Sequence, residues 1–266
     1  MAIPFVRVLQ GVSTVAVRSV NDTYRGQVLY PNGTKRQAII KDLDRQQLAN
    51  ELLVFVLAKA AGMPIPDACI GVAQPSVLTP QKAPTTAEGH GIFFISTDMM
   101  APNLAQVLTA EATFDAQKVV LDKLADWDRL GELYAFDSWV ANIDRHMGNI
   151  LLGPGSDIWL IDHGHSLTGP TWEPSGLDAA GAFENRLGDW LTQHVRQDRK
   201  ANYVRSVAAF SEMIEDIDVP DAVKSSLIEN LLPPEYVSAV RDFLRDRREH
   251  VEMQASSTLG LPRLVS

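Results

Sequence analysis

Between Trp139 and Gly164 the chain reads WVANIDRHMGNILLGPGSDIWLIDHG, with Asp144, Asn149 and Asp162 standing among runs of Val, Ile, Leu and Trp. Polar side chains in such company cost free energy unless something satisfies them. Three oxygen-bearing groups of these types suit phosphoryl transfer. That chemistry needs one carboxylate to orient and deprotonate an attacking hydroxyl, and two further side chains to hold Mg2+ against the phosphates. Asp144 would be the first, with Asn149 and Asp162 the pair for the metal.

The elements around them must bring the three together. Leu130, Leu133, Phe136 and Val140 trace the inner face of a helix ending near Ala141, which delivers residues 142–149 as a loop. ILL and IWLID then read as a hairpin about GPGSD, with Asp162 ending its second strand. All three side chains arrive at one rim. Taken singly, each also fits a turn or a helix cap.

Upstream, Leu48, Leu52, Phe55 and Ala58 form the apolar stripe of a helix, and Glu51 falls between Leu48 and Phe55 on that stripe. An inward carboxylate wants a cation, and Lys41, closing the apolar strand QAIIK, is the nearest in sequence. Alone, the two also read as a lysine reaching solvent and a glutamate at the edge of the stripe. Together with the downstream residues they match the strand-lysine and helix-glutamate pair that grips nucleotide phosphates in kinases. The steps from Asp144 to Asn149 (five residues) and from Asn149 to Asp162 (thirteen) match the catalytic loop and metal aspartate of the same scheme.

The remaining pattern is β-rich and then helical. Phe5 to Leu43 alternates in three antiparallel strands, the last two joined at PNGT, where Asn and Gly accept the positive φ of a tight turn. Asp44 with Gln47 opens the Glu51 helix as a capping box, and Gly62 and Pro64 close it. Residues 72–91, rich in Pro, Thr and Gly, read as an exposed excursion before the buried strand IFFIS. Beyond a boundary near 97–103 helical periodicity takes over. A long loop at 165–182 precedes helices at about 184–194, 199–215, 220–230 and 234–253, and the final SSTLGLPRLVS is a loose tail. The five tryptophans read as core, and His90, His194 and His250 as surface residues.

At 266 residues, 45% hydrophobic and 21% charged, the chain has ordinary globular composition, large enough for two lobes. A net charge of −9 excludes a phosphate-tracking nucleic-acid binder. The single cysteine, Cys69, excludes an internal disulfide and suits a reducing cytoplasm. No apolar run reaches membrane-spanning or signal-peptide length, so no stable membrane association is expected.

The order Asp-Arg-His, followed by two residues and Asn, resembles the HipA-like kinases and the related phosphatidylinositol 3/4-kinase families. NELLVFVLAKAAGMPIP is similar to the HipA-type helix, and LPPEYVSAVRDFLRDRREHV to the closing helix of those domains. The likeness spans most of residues 5 to 252. It implies an α+β, two-lobed protein-kinase-like fold: a small antiparallel-sheet N-lobe with one helix (1–100) over a mainly helical C-lobe (101–266). It also implies ATP and Mg2+ in the cleft and a protein Ser or Thr hydroxyl as acceptor. In this scheme Lys41 contacts the phosphates, Glu51 holds Lys41, Asp144 is the catalytic aspartate, and Asn149 and Asp162 ligate Mg2+. His146 buttresses the loop or approaches the γ-phosphate, and Arg145 does either. Residues near Ile95 to Met100, including Ser96 and Asp98, form the adenine hinge.

The pattern also departs from the kinase scheme. Gly-x-Gly-x-x-Gly is missing, leaving Gly11, Ser13 and Thr14 of QGVSTVAV to cover the phosphates, with Ser13 a candidate for autophosphorylation by the same resemblance. Asp-His-Gly replaces Asp-Phe-Gly, and no Ala-Pro-Glu follows. The chain begins almost at the nucleotide-lobe strands, so the extra N-terminal subdomain of HipA toxins is expected to be missing, with room for a small partner protein to supply it. The rivals are a lipid or small-molecule kinase, an inactive kinase-fold binding module, and a metal hydrolase built on His146, His163 and His165, with His165 otherwise a plain loop side chain.

Overall fold

The computed structural model describes residues 2–15, 21–109, 113–153, 157–183, 186–188 and 199–259. A sheet-bearing N-terminal part leads into a helical C-terminal part. Strands β1 (Phe5–Val8), β2 (Ser13–Thr14), β3 (Thr23–Leu29), β4 (Lys35–Lys41), β5 (Ala68–Ala73) and β6 (Gly91–Thr97) form one sheet in the order β1-β5-β6-β4-β3-β2. Because β1 pairs with β3 as well as with β5, the sheet curls until β1 closes it.

Two expectations are corrected here. The stretch read as one strand from Phe5 breaks at Gly11, whose φ of 89° turns the chain, so four strands rather than three precede the first helix. The sheet is also not wholly antiparallel, since β1 runs parallel to β5. The PNGT turn holds as expected: Gly33 takes φ 84°, and Tyr30 N–H donates to the Thr34 carbonyl at 2.9 Å.

Val6, Val8, Val28, Ile40, Cys69, Phe93 and Ile95 fill the inside of the curled sheet. The excursion, residues 74–90, is less exposed than its composition implies. Leu78 and Ala83 are buried, and the Asp42 carboxylate accepts the backbone N–H groups of Gln81 (2.6 Å), Lys82 (3.0 Å) and Ala83 (2.6 Å). A carboxylate with three N–H donors is well satisfied although buried.

Helix α1 (Arg45–Ala60) begins where the Asp44 side chain accepts the N–H groups of Gln46 and Gln47, and turns out through Gly62 at φ 63°. Every residue from Gln47 to Ala58 is buried, so α1 carries no polar stripe. The helix meets the sheet at β6 and packs also against the segments Val219–Ser225 and Ile228–Asn230, all within one apolar core. Each large apolar side chain so enclosed stabilises the fold by about 1.5–3 kcal/mol. A helix buried all round explains why Glu51 is almost wholly enclosed, open only toward the gap beside Lys41.

The C-terminal part comprises α2 (Leu104–Val107), α3 (Phe114–Ala125), α4 (Leu130–Trp139), the hairpin β7 (Ile150–Leu152) and β8 (Ile158–Leu160), then α5 (Lys200–Glu215), α6 (Val219–Ser225) and α7 (Pro234–Thr258). The expected helix at 184–194 lies largely outside the described residues, of which 186–188 are helical. The segment expected at 220–230 is divided: α6 stops, Leu227 takes φ 63°, and a single 3-10 turn follows. Ser256 to Thr258, read as loose tail, continue α7, and residues 260–266 lie outside the described set. Trp139 and Trp172 are buried, Trp127 and Trp159 half-buried, and His90 and His250 are partly covered rather than surface residues, while Trp190 and His194 lie outside the described set. Among the described residues no helix is long and apolar enough to cross a membrane.

Candidate active site

The site begins where β4 meets α1. Lys41 sits at the end of β4, paired across the sheet with Phe94, and its Nζ lies 2.5 Å from Glu51 Oε1 and 3.1 Å from Asp162 Oδ1. Burial alone would depress the ammonium, but Asp162 and Glu51 outweigh it and raise the Lys41 pKa well above that of an ordinary lysine. Burial, opposed by Lys41 and aided by the Asp162 charge, pushes Glu51 upward. Burial works on Asp162 in the same direction, but the Lys41 charge prevails and holds it low. The cluster is therefore ionised at Lys41 and Asp162. A narrow opening of about 20 Å³ lies beside it, lined by Lys41, Glu51, Phe94, Ser96, Asp162 and His163 with apolar Ile65, Ala68 and Leu160.

Asp162 stands two residues past β8 with φ 60°, a left-handed conformation that Asp adopts more readily than most residues. Two side chains hold it there, Arg145, for which sequence reading left two roles open, and Asn50, to which it gave none. Arg145 is wholly buried and forms a two-pronged pair with Asp137, Nε to Oδ2 and Nη2 to Oδ1 both at 2.9 Å. Its Nη1 donates to the carbonyls of Asn149 (3.1 Å) and Ile161 (3.0 Å). One guanidinium thus ties the start of the hairpin to its end. Of the alternatives for Arg145, this corrects the reading as a phosphate contact: it is an internal brace.

Asn50, also fully buried, donates Nδ2 to the carbonyls of Gly164 (2.9 Å), Ser166 (3.0 Å) and Gly169 (3.2 Å) and accepts from Trp172 Nε1 (3.0 Å). It clasps the chain that follows Asp162, where Leu167 and Thr168 are also left-handed. The only sequence signal for it was the Asn-Glu pair opening the helix motif.

His163 fills the position after Asp162. Its Nδ1 lies 3.2 Å from Arg145 Nη2, and a guanidinium only donates, so Nδ1 accepts and the neutral ring carries its proton on Nε2. Burial first, then the Arg145 and Lys41 charges, hold its pKa well below 6.5. It meets Phe136 edge-on at 6.3 Å, an aromatic packing role of the kind a phenylalanine would play.

Asp144 occupies a more open setting. Its backbone is held at both ends, N–H to Asn142 Oδ1 (3.1 Å) and carbonyl to Asn149 Nδ2 (2.9 Å). Its Oδ1 accepts from Arg186 Nη1 at 2.6 Å, while Oδ2 lies 3.7 Å from His146 Nε2 and 3.6 Å from His165 Nδ1. His146 accepts the Gly148 N–H on Nδ1 at 2.9 Å, which braces the loop locally. His165 is corrected from a plain loop side chain to a neighbour of Asp144. Arg186 was not anticipated at all, and nothing in its local sequence marks it.

The other expected nucleotide residues lie further out. Ser13 and Thr14 are exposed on the edge strand β2, and Thr14 connects to the site through Tyr24 on β3 and Ile40 on β4. Gly11 turns the chain just before them. Ser96 lines the Lys41 cavity. Asp98 follows β6, where its carboxylate pairs with Arg25 at 2.7 Å and accepts the Met100 N–H at 2.9 Å, while its own N–H donates to the Gln37 carbonyl at 3.2 Å. Among the described residues no three His, Cys, Asp or Glu side chains are grouped to hold one metal ion. The hydrolase reading therefore has no donor set to rest on.

The chain was compared with known proteins. The model of a family described as HipA-like kinase matches residues 38–226, a narrower span than the resemblance covered. No curated protein matches. Among solved structures, the fold is similar to that of the Helicobacter pylori proinflammatory kinase CtkA, with a TM-score of 0.55 and 12% identity, over 94% of this chain and 97% of that one. The family match takes in more than half of the sequence and every residue from Lys41 to Asp162, and the chain belongs to the HipA-like kinase family.

Proposed function

We propose that this kinase-family chain transfers the γ-phosphoryl group of ATP to a Ser or Thr hydroxyl of a protein, with Mg2+ as its metal. The observation that carries the reading is Lys41, held at 2.5 Å by Glu51 and reaching Asp162 at 3.1 Å. An inward lysine between two carboxylates has no packing purpose, but it presents a charge where phosphates and a metal would meet.

Residues 1–100 form the nucleotide lobe and 101–266 the catalytic lobe, with the hinge at Ile95 to Met100 and adenine against Ser96 and the backbone of Asp98. Gly11, Ser13 and Thr14 close over the phosphates. Asn149 and Asp162 fit the metal: Asn149 commits its Nδ2 to the Asp144 carbonyl, which leaves Oδ1 as the ligating atom, and the Asp162 side chain is 44% exposed. Hard oxygen donors of this kind suit Mg2+, which would neutralise charge on the phosphates. Asp144 accepts the acceptor proton. The hydroxyl oxygen bonds to the γ-phosphorus as the bond to the β–γ bridging oxygen breaks, and ADP leaves with that electron pair. Lys41 and His146 stabilise the charge that develops. The single buried cysteine suits a cytoplasmic setting.

Labelled γ-phosphate supplied with Mg2+ should be incorporated into protein acceptors by wild type, and Asp144→Ala should lower incorporation by about 10²–10⁴-fold while leaving the fold intact. ATP with Mg2+ should raise the melting temperature of both. A melting temperature unmoved by ATP would overturn the reading.

A further inference from the structure

A second groove adjoins Asp144 and shares no lining residue with the Lys41 cavity. It offers about 320 Å³, floored by Leu108, Leu121, Met147 and Leu187 beside Gln117, with His146 and Arg186 at its edge. Those two edge residues, together with His165 from outside the groove, stand beside the Asp144 carboxylate. With the nucleotide on the Lys41 side, whatever occupies this groove is placed at the proton-accepting carboxylate, which is where the phosphate acceptor must be.

Arg186 gives the groove its selectivity. Its Nη1 holds Asp144 Oδ1 at 2.6 Å, yet its side chain is 65% exposed, and exposed pairs of this kind contribute little. An acceptor hydroxyl needs to come within about 2.6–3.2 Å of that same carboxylate. Arg186 must yield, and its guanidinium then lacks a partner. A carboxylate or phosphate carried by the acceptor meets that need, because the planar fork matches either group. In a chain of net charge −9, a cationic edge on an apolar floor is a local departure that favours such a ligand.

Building on the kinase reading above, we infer that the groove takes a peptide segment in which the acceptor Ser or Thr is flanked by an apolar side chain, seated on Leu108, Leu121 and Met147, and by an acidic residue that draws Arg186 away from Asp144. Arg186 is a positioning residue, exchanging one anion for another as substrate arrives.

Positional-scanning peptides with a fixed Ser or Thr, supplied with labelled γ-phosphate on ATP and Mg2+, test this. Acidic residues at one flank should exceed Lys or Arg by about tenfold, and Leu, Met or Phe should exceed Gly at another. Arg186→Gln should bring the kcat/KM ratio of acidic to neutral peptides close to one, chiefly through KM. Leu121→Glu should abolish the apolar preference while keeping the acidic one. A flat or basic preference, or an Arg186→Gln loss equal for all peptides, overturns the inference. So does transfer to phosphoinositide vesicles in preference to every peptide. Protein that hydrolyses ATP but phosphorylates no peptide defeats the acceptor inference alone, whereas protein that neither binds nor hydrolyses ATP defeats the kinase reading with it.

Discussion

Two arginine–aspartate pairs flank the same loop and differ in nearly every physical respect. Arg145 with Asp137 is fully buried, two-pronged and tied to further carbonyls, whereas Arg186 with Asp144 is a single contact with 65% of the arginine side chain in solvent. Burial makes the first pair costly to break, since removing one partner strands a charge in a medium that cannot solvate it. Exposure makes the second exchangeable, because water stands ready to replace either member. The loop is thus anchored on its inner side and adjustable on its outer one.

The sharpest way to break this comparison is Arg145→Ala. It takes the buried cation from Asp137, leaving it the neutral Asn142 amide, and unties Asn149 from Ile161, so denaturant unfolding should show a loss of about 3–5 kcal/mol. A loss under about 1 kcal/mol would place the pair with ordinary surface contacts.

An intermediate effect is expected at His163, which shares the inner side. Its folded pKa lies below the ordinary 6.5, so the unfolded chain binds the extra proton first, and stability from this residue is present above that pH and lost as pH falls through it. The slope should be at most about 1.4 kcal/mol per pH unit. Melting temperatures between pH 8 and 5 should fall more steeply in wild type than in His163→Phe. Parallel curves would mean that the imidazole is already charged when folded.

The smallest effect should come from the outer pair. Arg186→Gln should change unfolding free energy by no more than about 1 kcal/mol, measured under the same denaturant conditions as Arg145→Ala. A change matching that of Arg145→Ala would erase the distinction between the two sides.

Lys41, Glu51, Asp144, Asn149 and Asp162 could be singled out because their types and spacings fit one chemistry, and of these the structure brings Lys41, Glu51 and Asp162 into contact. Their supports were not. Asp137 looks like any helical carboxylate, and nothing local says that an arginine eight residues on will cover it. Asn50 finds its acceptors more than a hundred residues away. His165 reaches Asp144 from a loop whose composition announces only turns, and Arg186 from a helical stretch that nothing marks as near the site. The strand pattern was readable, but the parallel partner of β1 was not, because β5 joins it only after α1 has crossed between them. Periodicity also understated the burial of α1, which is covered by sheet and helices alike.

The clasp made by Asn50 limits how this enzyme can be switched off. In a kinase fold, swinging the glutamate-bearing helix outward is a common means of silencing the catalyst, since the lysine then loses its partner. Here the same helix holds three carbonyls of the segment beyond Asp162 through one amide. Levering it away would unravel that segment as well, so graded control is cheaper at the solvent-facing edge of the loop than at its root.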